Sequence, residues 1–112
     1  MRKIIAYKNY YREFLEKLSK QERGKIQRAL ILFETEDRVP AHYISYIRDS
    51  LYEFRVTCCN KEFRLFFIYD GPIIVVLFNC YTKKSRKAPN KEIDKALRLK
   101  EEYRYEKENA SL

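Results

Sequence analysis

The sequence predicts an α+β fold, in which a helical hairpin packs on one face of a small, mostly antiparallel sheet and a further helix closes the chain. Two observations predict this class. Apolar residues recur at helical spacing in the first third of the chain, and they alternate as in strands over residues 51–83. A chain of 112 residues has room for one core, so we expect residues 1–112 to form a single domain.

The N-terminal third predicts one strand and two helices. The apolar run from Lys3 to Tyr7 is expected to open the sheet. Asn9 is a candidate N-cap for a first helix, whose apolar residues are Tyr11, Phe14, Leu15 and Leu18. The run from Ser19 to Glu22 matches a capping box, and it opens a second helix that ends near Glu36. Because almost nothing separates the two helices, we expect an antiparallel hairpin.

The middle of the chain predicts a three-stranded meander. Residues Arg38 to Ser50 contain a proline and are expected to form a loop or an extended connection. The predicted strands are Leu51 to Cys59, Glu62 to Asp70 and Ile73 to Lys83. The intervening turns, at Asn60-Lys61 and Gly71-Pro72, are too short for anything but antiparallel neighbours. We expect the early helices to cover one sheet face and to leave the other for a ligand.

The last third of the chain predicts a basic break followed by a helix. Residues Thr82 to Lys91 are basic and irregular, and Asn90 is expected to cap a final amphipathic helix. Residues 51–91 carry eight basic and three acidic residues, whereas residues 92–112 carry five basic and six acidic ones. The strands and the loop after them therefore carry a net charge of +5, whereas the C-terminal segment carries −1. This pattern predicts an anionic partner, with nucleic acid as the first expectation.

Cysteine and histidine usage argues against several classes of protein. Cys58, Cys59 and Cys80 are odd in number and include an adjacent pair, so we expect unpaired thiols in a reducing cytoplasm. His42 is the only histidine and there is no Cys-x-x-Cys pair, so we expect no metal site and no cofactor. No segment reaches the roughly 20 apolar residues of a membrane span, and Met1 to Tyr7 does not resemble a signal peptide. We expect a cytoplasmic protein without a membrane partner.

Strand alternation places cations on one sheet surface. A strand arginine is costly to bury without a partner, so each one is expected to meet solvent, a salt bridge or a ligand. Arginines and lysines from three strands would form a phosphate-binding platform, and nearby tyrosine rings would stack on bases. The residues concerned are Arg55, Arg64, Asn79, Tyr81 and Lys83.

Two motifs carry a family resemblance. The run from Leu51 to Arg55, LYEFR, resembles a signature of phage-derived, Gp49-like HigB toxins of the RelE superfamily. The run from Phe78 to Pro89, FNCYTKKSRKAP, resembles the strand-to-loop motif of that family, and the helix from Glu92 to Tyr103 is similar to its closing helix. The resemblance implies a RelE-like fold and a type II toxin–antitoxin toxin. Such toxins cut mRNA, usually in the decoding site of the 30S ribosomal subunit, and an antitoxin, often a helix-turn-helix DNA-binding protein, neutralises them.

The resemblance also implies roles for individual residues. Metal-free RNA cleavage by the 2′-hydroxyl needs a base, cations around the phosphate and a proton for the leaving oxygen. The candidate catalytic residues are Arg55, Arg64, Tyr81, Lys83 and Lys84, and the candidate RNA-binding residues are Asn79, Arg86 and Lys87. Asn79 stands where many relatives have histidine. An amide is no base near neutral pH, so the sequence identifies no general base.

Alternatives remain open on sequence grounds. Arg55 has a structural interpretation as the salt-bridge partner of Glu53 or Glu62. Arg64 also has a structural interpretation, and the structural interpretation of Tyr81 is that of a core residue. A ParE-like toxin that poisons DNA gyrase and a basic RNA-binding module without catalysis are the competing functions. The lysine-rich end of the last strand favours a nuclease over a gyrase poison.

Overall fold

The computed structural model describes residues 1–84, 86 and 89–110. The elements in chain order are β1 (Lys3–Ala6), α1 (Tyr10–Glu16), α2 (Lys20–Thr35), a short 3-10 turn (Ala41–Tyr43), β2 (Ile44–Arg48), β3 (Leu51–Cys58), β4 (Lys61–Asp70), β5 (Ile74–Lys83) and α3 (Asn90–Ala110). The predicted α+β class is confirmed. Among the described helices, none is long and apolar enough to cross a membrane.

The strands form one sheet in the order β1-β5-β4-β3-β2. Each of the pairs β2–β3, β3–β4 and β4–β5 is antiparallel, as expected for strands joined by short turns. The short β1 adds a parallel strand at the outer edge of β5. The sheet is therefore mostly antiparallel, as predicted, and β5 lies inside it with a neighbour on each side.

The helical hairpin covers one face of the sheet. The predicted capping box is present, since Ser19 Oγ accepts the Glu22 N–H at 3.1 Å and Glu22 Oε1 accepts the Ser19 N–H at 2.9 Å. The α2 side chain Phe33 then stacks on Phe54 of β3 with a centroid distance of 5.0 Å. Asn9 occupies the N-cap position of α1, but its side chain makes no capping hydrogen bond; the Asn9 carbonyl accepts from the Glu13 N–H at 2.9 Å instead.

The opposite face is not left open, and this prediction is wrong. The helix α3 covers it, with Ala96 and Leu99 packed against Phe66 and Phe78 of the sheet. This face is too apolar to remain in water. The first turn of α3 begins at Asn90, which is the first helical residue and not the cap; the Glu92 and Ile93 N–H groups donate to the Pro89 carbonyl at 3.0 and 3.2 Å.

The segment that the sequence predicts to be a loop or an extended connection contains the edge strand β2. Ile44 and Tyr46 pair with Phe54 and Tyr52 of β3. The connecting residues Asp49 and Ser50 have φ angles of 51° and 65°, which is the pattern of a type I′ hairpin turn. Neither residue is glycine, so the usual sequence signal for this turn is absent.

The turn after β3 departs from the prediction in register. Cys59 and Asn60 have φ angles of 60° and 63°, so the turn lies one residue earlier than predicted. The sulfur atoms of the adjacent residues Cys58 and Cys59 lie in contact at this turn. Cys80 carries a free thiol, and burial raises its pKa above the ordinary range. This thiol therefore stays neutral and contributes apolar volume.

Candidate functional site

Three of the predicted site residues stand side by side across the sheet. Arg55 of β3 is the register partner of Arg64 of β4, and Arg64 is the partner of Tyr81 of β5. Register partners project from the same sheet face. The next row toward the strand ends holds Glu62 and its partner Lys83. We call these residues, together with Lys84 and Arg86, the cationic end of the sheet.

The helix α3 stops at the border of this cationic end. Its first turn meets β5 at Asn79, whose Nδ2 atom donates to the carbonyl and to the Oε1 atom of Glu92, both at 3.0 Å. Farther along α3, the Tyr103 hydroxyl donates to Asp70 at the other end of the sheet at 2.5 Å. The helix therefore runs away from the end of the sheet that holds the rows of Arg64 and Glu62.

A bulge in β5 places Asn79 on this face. The β4–β5 register shifts between Leu65 and Phe67, so that Phe78 and Asn79 both stand opposite Phe66. Asn79 is only 2% exposed. Its side chain is placed to hold the first turn of α3, and the structure gives it little surface for the predicted RNA contact.

A buried carboxylate links the two arginines. Glu53 Oε1 lies 3.4 Å from Arg55 Nε and 3.6 Å from Arg64 Nε. Arg64 Nη2 also donates to Glu62 Oε1 at 3.2 Å. Register forces two guanidinium groups into neighbouring positions, and the Glu53 carboxylate offsets their repulsion. Both arginines therefore form salt bridges in the structure, in addition to any role that they have in binding.

The two arginines differ in their access to solvent. The Arg55 side chain is 40% exposed, whereas the Arg64 side chain is 4% exposed. Arg55 is thus open to direct contact with a ligand. Arg64 is enclosed between Glu53 and Glu62, so the predicted phosphate contact at Arg64 would need the Glu62 carboxylate to move.

Tyr81 lies half-buried beside the arginines. Its ring stacks on Phe66 with a centroid distance of 5.5 Å. Burial, reinforced by the negative charge of Glu53, raises the pKa of Tyr81 to about 12. The phenol is therefore a proton donor, not an acceptor, at neutral pH.

The end of β5 forms an open cleft of about 280 Å³. Its lining residues are Glu62, Lys83, Lys84 and Arg86. Three cations around a small opening suit a phosphate group, because lysine and arginine are the side chains that bind phosphate oxygens in proteins. The predicted RNA-binding residue Lys87 lies outside the described residues.

A second cavity has a different chemistry. It occupies about 460 Å³ between β1, α1 and α2, and it is lined by Ile4, Ala6, Tyr11, Gln27, Leu30, Ile31, Glu34 and Leu77. Its single charged lining residue is an acid, so this cavity does not suit an anionic ligand. Within the described part of the chain, no group of three or more histidine, cysteine, aspartate or glutamate residues is arranged to hold a metal ion.

The carboxylates are the site residues that the sequence prediction does not include. Glu53 stands two positions before Arg55, and Glu62 stands two positions before Arg64. Residues two apart in a strand share a face. The sequence therefore contains the information that places these two carboxylates beside the arginines, because each acid lies on the same side of its strand as the arginine that follows it.

A family model matches most of the chain. Residues 13–101 match the family model described as phage-derived protein Gp49-like (DUF891). The matched range contains β2 to β5 and all of the described residues at the cationic end. No curated protein matches the chain.

Proposed function

Because the chain belongs to the family of phage-derived Gp49-like proteins, we propose that it is the toxin of a type II toxin–antitoxin system and cleaves mRNA as a metal-independent endoribonuclease. This family is related to toxins of such systems. The observation that carries the proposal is the row of Arg55, Arg64 and Tyr81 beside the cleft with Lys83 and Lys84. The resemblance to RelE and HigB toxins supports a cytoplasmic protein that acts in the ribosomal decoding site and is neutralised by a helix-turn-helix antitoxin.

The cations supply the electrostatic part of the reaction. Attack by the 2′-hydroxyl builds negative charge on the phosphate oxygens, and fixed positive groups stabilise that charge most in the transition state. Arg55 is exposed enough to contact the phosphate, and Lys83 and Lys84 line the adjacent cleft. Arg86, also exposed, would hold a flanking phosphate.

Tyr81 supplies the proton for the leaving oxygen. A phenol with a pKa of about 12 remains protonated at neutral pH, and the 5′-alkoxide that leaves the phosphate is a much stronger base. Proton transfer from Tyr81 to that oxygen is therefore favourable as the bond to phosphorus breaks. The stacking of Tyr81 on Phe66 holds the hydroxyl beside the arginine row.

The test is cleavage of mRNA bound to ribosomes by the purified protein, with the cut sites mapped by primer extension. The wild-type protein should cut within codons in the decoding site. The double substitution Lys83→Ala/Lys84→Ala should slow cleavage by about 100-fold or more. The matched control is Lys3→Ala/Arg38→Ala, which removes two exposed cations outside the site and should leave the rate nearly unchanged.

Three outcomes would contradict this function. Growth arrest with intact mRNA on the ribosomes would exclude cleavage. Growth arrest with induction of the DNA-damage response would indicate a gyrase poison instead. Tight RNA binding without growth arrest would indicate a binding module.

A further inference from the structure

The proposed reaction requires an acceptor for the proton of the 2′-hydroxyl. Charged lysine and arginine side chains carry only donors, the Asn79 amide is not a base near neutral pH, and Tyr81 is protonated. Two carboxylates on this face contact the arginines, those of Glu53 and Glu62, whereas the Glu92 carboxylate of α3 accepts a hydrogen bond from Asn79 at 3.0 Å. A general base must reach within hydrogen-bond distance of the proton that it removes, so access decides between the two.

The two carboxylates differ sharply in access. The Glu53 side chain is 7% exposed, and its Oε1 atom is occupied by both arginines. The Glu62 side chain is 50% exposed, and it lines the cleft with Lys83 and Lys84. A nucleotide whose phosphate enters that cleft therefore approaches Glu62, whereas Glu53 is enclosed beneath the arginines.

Glu62 is also held in place by an ordered chain of contacts. Its Oε1 atom accepts from Arg64 Nη2 at 3.2 Å, and Arg64 Nε lies 3.6 Å from Glu53 Oε1. Arg64 is buried, so its guanidinium is fixed between the two acids. A base that is oriented by a second group, which a third group fixes in turn, is a recurrent arrangement in catalytic sites.

We propose that Glu62 is the general base, that Arg64 is its positioning residue, and that Glu53 fixes Arg64. This inference rests on the proposed nuclease function and adds the group that the sequence does not identify. It changes the role of Arg64 from phosphate contact to orientation of the base. It also names the substrate class as RNA, because DNA has no 2′-hydroxyl to donate a proton to Glu62.

The reaction balances with the groups present. The 2′-hydroxyl gives its proton to the Glu62 carboxylate, and the 2′-oxygen forms a bond to phosphorus. The bond from phosphorus to the 5′-oxygen breaks, and that oxygen takes the proton of Tyr81. The products are a 2′,3′-cyclic phosphate and a 5′-hydroxyl. Proton exchange through water then returns Glu62 to its anion and Tyr81 to its phenol.

The competing explanation is a structural ion pair. Glu62 is the register partner of Lys83 and the hydrogen-bond partner of the buried Arg64. A purely structural Glu62 predicts nearly normal cleavage after a shape-conserving substitution. A general base predicts a loss in the chemical step with RNA binding retained.

The experiment compares single-turnover cleavage of ribosome-bound mRNA by wild-type protein, Glu62→Gln and Glu62→Ala. Glutamine keeps an oxygen for Arg64 and removes the base, so we expect cleavage to slow by about 100-fold or more. Affinity for a non-cleavable 2′-O-methyl RNA should change little. Added formate should restore part of the Glu62→Ala activity, because a small carboxylate fits the space that the substitution leaves.

The matched control is Glu16→Gln, an exposed glutamate that pairs with Arg12 on α1, and it should cleave like the wild type. Cleavage by Glu62→Gln close to the wild-type rate would overturn the inference while the nuclease function stands. A slow Glu62→Ala variant that formate does not rescue would also overturn it, and would leave Glu62 a structural role. Absence of cleavage by the wild-type protein would remove both proposals together.

Discussion

Glu53 Oε1 and Arg64 Nε lie 3.6 Å apart, and both side chains are almost inaccessible to water. Removing one partner of such a pair leaves the other buried and uncompensated. We therefore predict that Glu53→Ala lowers the free energy of unfolding by about 3–5 kcal/mol, measured by urea denaturation. The exposed Glu16→Ala should change it by less than about 1 kcal/mol.

A double-mutant cycle tests whether the effect belongs to the pair. In the Arg64→Met background, the buried guanidinium group is already absent. Glu53→Ala should therefore lower the free energy of unfolding clearly less than it does in the wild-type protein. Equal costs of Glu53→Ala in both backgrounds would show that the two side chains do not interact energetically.

Substitutions of Arg55 and Arg64 should have different effects on stability and on RNA binding, because only the Arg55 side chain is exposed to solvent. Arg55→Ala should reduce cleavage and RNA affinity and change the free energy of unfolding by about 1 kcal/mol or less. Arg64→Ala should destabilise the fold markedly, because it leaves Glu53 without its buried partner. Thermal unfolding and RNA titration of both variants provide the check. A larger loss of stability in Arg55→Ala than in Arg64→Ala would contradict this assignment.

The substitution Tyr81→Phe removes the phenolic hydroxyl and keeps the aromatic ring, so it tests proton donation separately from packing. Phenylalanine keeps the stacking on Phe66, so stability and RNA affinity should stay close to wild type. Cleavage should slow by about 100-fold, and the loss should shrink for a substrate whose 5′-oxygen is replaced by sulfur, because a thiolate leaves without a proton. A normal rate with the natural substrate would assign Tyr81 a packing role.

Protonation of Asp70 at low pH should weaken the packing of α3 on the sheet. Hydrogen bonds from Lys107 and then from Tyr103 lower the pKa of Asp70 below its ordinary value. For a carboxylate with a lowered folded-state pKa, the stabilisation is present above the unfolded-state pKa and is lost as pH falls through the folded-state pKa.

The corresponding variant is Asp70→Asn. It should be less stable than wild type by about 0.5–1 kcal/mol at pH 7, and the difference should shrink as pH falls well below 4. Urea unfolding at several pH values checks this. A difference that is constant with pH would show that the Asp70 charge does not contribute.

The sequence predicts the fold class well because its signals are local. The capping box at Ser19 and the alternation of the three long strands each depend on a few adjacent residues. The strand β2 escapes prediction because its turn uses Asp49 and Ser50 at positive φ in place of glycine. The covering of the second sheet face had a signal in the sequence, since Leu65 to Ile68 form a continuous apolar run, which is typical of a strand covered on both faces.

The sequence predicts only part of the site, because strand alternation is also a local signal. Alternation within each strand identifies which residues share a face in that strand, such as Glu53 with Arg55 and Tyr81 with Lys83. It does not give the register between strands, so the contacts of Glu53 with both arginines require the three-dimensional structure. The burial of Asn79 depends on a bulge and on a residue of α3, and neither is encoded in the local pattern around it.

The bulge at Phe78 and Asn79 divides β5 into two segments of opposite phase. Before it, Val76 and Phe78 face α3, while after it the odd-numbered Tyr81 and Lys83 take that side. If β4 and β5 kept the register of the first segment along their whole length, Cys80 would stand opposite Arg64, and Tyr81 and Lys83 would point toward the helical hairpin. The one additional residue at the bulge is therefore what brings Tyr81 and Lys83 to the sheet face that carries Arg64.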